Sequence, residues 1–357
     1  MTASSVPLIR PVRPEDFNAV FELARRAGGG MTNLPADEPA LRTRVDFACE
    51  SFAANAVEPG PEVYMTVLEV GGRILGTSAV FSSIGLDNGF VNYKVNWTFH
   101  ASRQVNKRIK RRLLVLTHDF TGAAEVGSLF LSPDARGGGY GKFLARTRYL
   151  FIAQRPDIIA DPVCAELRGW RAPGGAQPFW EALGRRFFEM EFEEADVHNA
   201  ANGNQFIAEL MPRYPIYVSL LPEDARACIG RPHDGAAPAY NMLMAEGFRF
   251  NDYIDIFDGG PLVDAKQNEI RTIRESMTAP VAGVIDDVDA AAGRKADAIV
   301  ATGAVADFRA VRTSVVFGGD AGPDAGDRGP AEGVVIGRDA ADRLGVEPGA
   351  PVRWVLW

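Results

Sequence analysis

Between Glu125 and Phe151 the period of the apolar positions changes within a few residues. Val126, Leu129 and Leu131 form a β-type run closed by Pro133 and Asp134, and Phe143, Leu144, Thr147 and Phe151 then recur at helical spacing. A strand therefore feeds a helix directly across Arg136-Gly137-Gly138-Gly139-Tyr140-Gly141. Upstream, Leu8 to Val12 predicts a short strand, and a helix from Pro14 turns Phe17, Val20, Phe21 and Leu23 toward a core before Gly28-Gly29-Gly30 stops it. Gly28 to Pro35 reads as loop, a second helix carries Leu41, Val45 and Phe47, and Glu62 to Val70 with Arg73 to Phe81 alternate around Gly71-Gly72 as a hairpin. An inserted section from Gly85 to Thr121 holds a strand at Val91 to Phe99 and a basic run of Arg103, Lys107, Arg108, Lys110, Arg111 and Arg112. Such a run could approach a phosphate, although a solvated basic face is the commoner outcome. After the helix, Asp161 to Leu167 predicts another strand and Pro178 to Phe188 an aromatic-rich core helix.

Beyond Phe192 the pattern starts again. Phe206 to Met211 suggests a strand, Pro222 to Ile229 and Pro238 to Glu246 suggest helices, the second ended by Gly247, and Arg249 to Phe257 a strand. From Lys266 short valine-rich pieces alternate with glycines, Asp320 to Pro330 reads as a flexible loop, and the chain ends on a helical turn at Asp339 to Leu344 and a strand at Val352 to Leu356. Three units are expected: 1–195 as an N-terminal domain, 196–265 as a second, degenerate half, and 266–357 as a β-rich subdomain that supports packing or assembly.

Composition narrows the class. The 357 residues are 46% hydrophobic and 24% charged, which suits an ordinary globular protein with ample core. A formal charge of −8 argues against a general nucleic-acid binder. Cys49, Cys164 and Cys228 are widely spaced and odd in number, so neither a disulfide framework nor a zinc cluster is indicated, and a cytoplasmic location is expected. Without an apolar signal region in MTASSVPLIR, or any run of about 18 apolar residues, neither secretion nor a membrane span is expected.

The glycine turn carries the chemistry. Glycines let a backbone approach a ligand closely, and N–H groups at a helix start favour negative charge, so a phosphate or pyrophosphate is the natural guest. A Walker loop fails because Gly141-Lys142 is followed by Phe143 rather than a hydroxyl residue, and a dinucleotide fingerprint fails at Lys142, where its last glycine belongs. What fits is R-x-x-G-x-G after a strand ending in Ser132-Pro133-Asp134, which resembles the acyl-CoA loop of the GCN5-related N-acetyltransferase superfamily. That resemblance implies an α+β fold: a mixed sheet flanked by helices, here with the second half and the β-rich subdomain added.

A narrower resemblance is carried by GGGMTNLPAD (Gly28 to Asp37), QPFWEALGRRFF (Gln177 to Phe188), FIAELMPRYPIY (Phe206 to Tyr217), IGRPHDGAAPA (Ile229 to Ala239) and GFRFNDYIDIFDGGP (Gly247 to Pro261). In this order they resemble the bacterial arginine N-succinyltransferase family from about Leu8 to Pro261, and more loosely beyond. The resemblance implies transfer of succinyl from succinyl-CoA to the α-amino group of L-arginine, the entry step of an ammonia-releasing arginine catabolic route. Succinyl-CoA is then a co-substrate, with no tightly bound cofactor and no metal. A homologous β subunit or further copies of the chain are the expected partners.

The family's proton donor falls on His233 and its succinyl-CoA contact on Leu129; with Leu131, Arg136, Gly137, Gly138, Gly139, Tyr140 and Gly141 these form the expected site. By type and place alone His233 is a loop histidine between Pro232 and the Asp234-Gly235 turn. For arginine's guanidinium, Asp255, Asp258 or Glu166 could supply a carboxylate, and Arg168 or Arg171 a cation for the succinyl carboxylate, each equally able to be a structural ion pair. Transfer of another acyl group to an amine, with acetyl-CoA or ornithine as substrate, and a non-catalytic α subunit of a paired enzyme are the alternatives.

Overall fold

The computed structural model describes residues 6–28, 31–192, 194–195, 198, 205–303, 305–317 and 333–357. The chain opens with β1 (Leu8–Pro11), α1 (Phe17–Ala27), α2 (Glu38–Ala53) and the hairpin β2 (Val63–Val70) and β3 (Arg73–Phe81). A long ribbon of β4 (Asn92–Ser102) and β5 (Lys107–Thr117) follows, then β6 (Ala124–Leu131), α3 (Tyr140–Gln154) and β7 (Val163–Glu166). The other strands are β8 (Ile216–Tyr217), β9 (Arg249–Ile254), β10 (Pro261–Ala265), β11 (Met277–Ile285), β12 (Arg294–Thr302), β13 (Ala310–Phe317), β14 (Val334–Gly337) and β15 (Pro351–Leu356). All of them join one mixed sheet, in the order β12-β15-β11-β14-β13-β1-β2-β3-β6-β7-β10-β9-β4-β5-β8. The α+β class expected from the chain is what the structure has. β1 is the joint: it pairs with β2 on one side and, through Leu8 and Ile9, with β13 of the last five strands on the other.

Local chemistry accounts for the entries into the helices. Asp37 caps α2 by accepting from the Ala40 N–H at 2.9 Å, beside Pro39 in the first turn. α1 buries Phe17, Val20, Leu23 and Ala24 against α2 and β3 and ends at Gly28, whose φ of 74° needs glycine. α3 differs, because every residue from Phe143 to Ile152 is buried, including Arg146 and Arg148. It packs against β3 and β6 and also against β12, β15 and the helix Arg271–Glu275. A guanidinium so placed needs partners, and Arg146 has them: Nε donates to Thr272 Oγ1 at 2.8 Å, Nη1 donates to the Leu356 carbonyl at 2.7 Å, and Glu246 lies 3.4 Å away.

Two expectations change, and a segment left without an assigned element proves to be strand. Phe206 to Met211 was expected as a strand, but Gln205–Leu210 is a helix, with Phe206 against Phe188 and Phe257 at ring separations of 5.5 and 6.4 Å. Its apolar residues lack a strict period of two, so packing decides. Pro178 to Phe188 splits into Pro178–Ala182 and Gly184–Phe188 around Leu183, and Trp180 stacks on Phe188 at 5.4 Å over the break. The end of the basic run is strand, Lys107 to Arg112 pairing along β4. Gly29, Gly30 and the expected loop from Asp320 to Pro330 lie outside the described residues.

Candidate active site

β6 and β7 are parallel but pair only at Ala124 with Val163 and Glu125 with Cys164, after which they diverge. On the other side of β6 the register against β3 shifts between Thr77 and Ala79, and Ser128, the residue at the shift, has φ 50°. Splay and bulge together open a cavity of about 840 Å³ along Val126 to Leu131.

Asn33, from the loop before α2, fixes the bulge. It donates through Nδ2 to Glu125 at 3.1 Å, accepts through Oδ1 from the Ser128 N–H at 3.2 Å, and takes the Ser128 hydroxyl on its carbonyl at 2.7 Å. A Cβ on Gly127 would stand 2.2 Å from Asn33 Nδ2, so only glycine permits this approach. Arg44 donates to the Asn33 carbonyl at 3.0 Å from the far side. Burial raises the Glu125 carboxyl above its ordinary pKa, against the pull of Asn33, Arg44 and Arg148.

The glycine turn forms the mouth. Gly137 has φ 96°, and Gly139, with φ 78°, caps the N-terminus of α3. Leu129, Leu131, Arg136, Gly137, Gly139, Tyr140 and Gly141 line the cavity. Gly138 does not, and its carbonyl accepts instead from Arg312 Nη1 at 3.4 Å on the outer side of the turn. Arg312 lies 4.2 Å over the ring of Trp357, and Lys142 4.4 Å over the same ring, so β13 and the residue after β15 back the turn.

The opposite wall comes from distant parts of the chain. Glu166 at the end of β7, Asp255 and Asp258 after β9, and Arg168 all line the cavity. Neutral donors pin the acids: Asn92 Nδ2 donates to Glu166 at 2.8 Å, the Phe257 and Asp258 N–H groups to Asp255 at 2.7 and 2.8 Å, and the Gly169 and Gly260 N–H groups to Asp258 at 2.7 and 2.8 Å. Burial, and then repulsion from Asp255, Glu125 and Asp258, pushes the Glu166 pKa well above the usual carboxylate range; burial and Asp258 do the same to Asp255. Among the described residues Arg168 is the cation that lines this wall beside the acids. Arg171, the other cation considered, is turned onto the Phe192 ring at 5.3 Å and does not line the cavity.

His233 is tied to the same wall. Its N–H donates to the Arg168 carbonyl at 2.7 Å, while Trp170 donates to Arg231 at 3.0 Å and Gly169 bridges Pro232. His233 itself does not line the cavity, although its neighbours Gly235 and Ala236 do, and its Nδ1 accepts from the Gly235 N–H at 3.0 Å. That bond assigns the proton of the neutral ring to Nε2. Burial, Arg168 and Arg171 lower the pKa of His233, so the neutral form is favoured.

A family model described as arginine N-succinyltransferase beta subunit matches residues 7–272. The chain belongs to the arginine N-succinyltransferase family. Arginine N-succinyltransferase subunit beta of Pseudomonas aeruginosa is 45% identical over 271 residues, 76% of this chain and 79% of that one. The arginine N-succinyltransferase of Yersinia pestis is 40% identical over 283 residues, 79% and 80% of the two chains. The solved structure of arginine/ornithine succinyltransferase subunit AI from Pseudomonas aeruginosa superposes with a TM-score of 0.85 at 34% identity, covering 99% of each chain. The family match stops before β11, yet the structural match runs through the last five strands, so that end of the sheet belongs to the shared fold.

Sequence reasoning proposed Glu166, Asp255 and Asp258 only as separate candidates and missed Asn33, Arg44, Asn92, Glu125 and Arg148. For Asn33 and Arg44 the available signal was the MTNLPAD segment and the helix that follows it. Nothing local marks Asn92 or Arg148, which act through contacts 74 residues or more away in sequence or from inside a helix. Among the described residues no helix is long and apolar enough to cross a membrane.

Proposed function

We propose that this chain transfers the succinyl group of succinyl-CoA to the α-amino group of L-arginine, as the first step of arginine breakdown. The observation that carries this is one cavity joining a glycine turn at a helix N-terminus to an acid-rich wall. The turn from Arg136 to Gly141 receives the pyrophosphate on its N–H groups, and the acyl arm runs along Leu131 and Leu129 into the splay. Glu166 and Asp255 take the guanidinium, relieving their mutual repulsion, and Arg168 takes the succinyl carboxylate.

Chemistry follows from this placement. Glu125, four residues before Leu129 on β6 and raised in pKa, accepts the proton of the α-ammonium. The freed amine attacks the thioester carbonyl, and the β6 backbone at Leu129 donates to the oxyanion, a bond that strengthens as charge develops. Collapse forms the amide and expels the CoA thiolate. His233 keeps its Nε2–H and hydrogen-bonds the departing sulfur, and the thiolate, whose conjugate acid has a pKa of about 8.5, takes up the second proton released by the attacking nitrogen as the amide forms. In the cation Nδ1–H would face the Gly235 N–H, so the geometry favours the neutral ring as the donor in place.

Purified chain with succinyl-CoA and arginine should release CoA thiol and form N-succinylarginine. Acetyl-CoA in place of succinyl-CoA, and ornithine in place of arginine, should be poorer by kcat/KM. No product from the chain alone, with both substrates saturating, would overturn the proposal in favour of a subunit active only when paired.

A further inference from the structure

The β4–β5 ribbon leaves the sheet with little support. β9 pairs with β4 only at Tyr93 and Lys94, and β8 with β5 only at Leu113 and Leu114, while β4 and β5 remain paired out to Ser102 and Lys107. Past Asn96, among the described residues, it is a two-stranded ribbon with two open edges, a form that is marginal in water unless something packs on it. Its two faces differ. Tyr93, Val95 and Leu114 are buried in a core at the base, and the next residues on that face of β4, Trp97 and Phe99, are 54% and 66% exposed. Arg112 and Lys110 stand opposite them, with Lys110 Nζ 4.0 Å over the Trp97 ring. An apolar stripe that begins in a core and runs out into solvent beside arginine and lysine has the makeup of an interface centre.

Charge identifies what covers it. From Val91 to Thr117 there are seven basic residues and no acid, on a chain whose net charge is −8, so the rest of the molecule is more acidic than the whole. Basic side chains along both edges oppose ribbon-to-ribbon pairing between copies, and the acidic body of another copy is complementary to them. We propose that the ribbon is an arm that docks, through Trp97, Phe99 and the Lys110 and Arg112 row, on the body of a second copy of this chain. Two reciprocal arms close a dimer about a twofold axis. This assembly is independent of the acyl-transfer chemistry.

The test is sedimentation equilibrium of the purified chain alone, without CoA or nucleic acid. Twice the chain mass is expected at about 0.05 M salt, with dissociation toward monomer as salt rises to about 0.5 M. Trp97→Ser combined with Phe99→Ser, and separately Lys110→Glu combined with Arg112→Glu, should each weaken the dimer about 30-fold or more. The charge-reversal variant alters only side chains on the protruding ribbon, so an unchanged circular dichroism spectrum separates lost docking from lost folding. In the wild type, tryptic cuts between Arg103 and Arg112 should be slower at concentrations where the dimer forms. A wild-type monomer throughout, a dimer indifferent to both variants, or association that appears only with nucleic acid or a different chain would each overturn the proposal.

Discussion

The two walls of the cavity are built in opposite ways. The glycine turn and β6 come from one stretch, Ala124 to Gly141, and present backbone N–H groups and exposed glycines. The acid wall gathers Glu166, Arg168, His233, Asp255 and Asp258 from three separate segments. The first wall offers fixed backbone dipoles to a ligand, and Glu125 is its one residue with a raised carboxyl pKa. In the second, the hydrogen bonds to the acids come from neutral donors, and burial with mutual repulsion holds Glu166 and Asp255 well above their ordinary pKa. A wall that binds an anion by backbone can be prepared at low cost to the fold, whereas one that binds a guanidinium by carboxylates is stable only through distant packing.

The largest effect that would break this comparison lies at His233. His233→Ala should lower kcat about 10²- to 10⁴-fold with small changes in the apparent constants for both substrates, because the contact matters as the thiolate departs. Near-normal turnover would leave His233 an ordinary loop residue. The pH profile sharpens the point. With the pKa of His233 lowered and the neutral ring as donor, kcat should climb through a limb below about 6.5 and hold its level above it. A fall in kcat across that limb would instead require the imidazolium, and the Gly235 contact would have to break. In His233→Ala the limb should vanish.

How much of each wall was legible follows from the same contrast. The strand, turn and helix around Gly137, Gly139 and Gly141 were readable because period, glycine spacing and helix start are all local, and the alternation of β2 and β3 was readable for that reason too. Glu166, Asp255 and Asp258 were readable as residue types but not as a group, since only the β7, β10 and β9 register brings them to one floor. Asn92 was invisible, its meaning being one bond to Glu166. The helix at Gln205–Leu210 was misjudged because tertiary packing outweighs weak local preference in a short segment, and β5 was read only as a solvated basic run, which its exposure bears out while its pairing with β4 is not a local property.

On the acid wall, Glu166→Gln and Asp255→Asn should each raise the apparent constant for arginine about 10- to 100-fold, the range for losing a hydrogen bond between charged partners. The constant for succinyl-CoA should stay within about twofold. A neutral isostere sharpens this further: citrulline has no guanidinium charge, so it should inhibit wild type and Glu166→Gln equally weakly. If citrulline competes as well as arginine, the wall does not recognise charge. On the glycine wall, Gly139→Val should raise the constant for succinyl-CoA about 10-fold and leave arginine nearly unchanged. A β-branched residue is strained at φ 78°, and its Cβ would meet Arg312 Nη1 at 3.0 Å and the Trp357 ring at 3.1 Å. Equal effects on both substrates would mean that the two walls are one coupled unit.

The smallest expected effect is on stability, and it tests the strain directly. Glu166 has a folded pKa raised by burial and by Asp255, Glu125 and Asp258, so between its unfolded pKa of about 4.3 and the raised folded value the native state holds a proton that the unfolded chain has lost. Stability then falls as pH rises through that window, and it is highest below it, where both states are protonated. Glu166→Gln removes the titration while keeping an acceptor for the Asn92 amide, so at neutral pH the variant should be more stable than wild type. The gain should be on the order of 1 kcal/mol, seen as a rise in Tm of about 2 °C. It should shrink to nothing as pH is lowered toward about 4. Saturating arginine should raise the wild-type Tm more than that of the variant, because the guanidinium supplies the missing charge to one and finds a neutral amide in the other. A Glu166→Gln protein less stable than wild type at pH 7, with an unchanged gap at pH 4, would mean that Glu166 is a supported structural acid, and that the difference between the two walls is one of sequence distance alone.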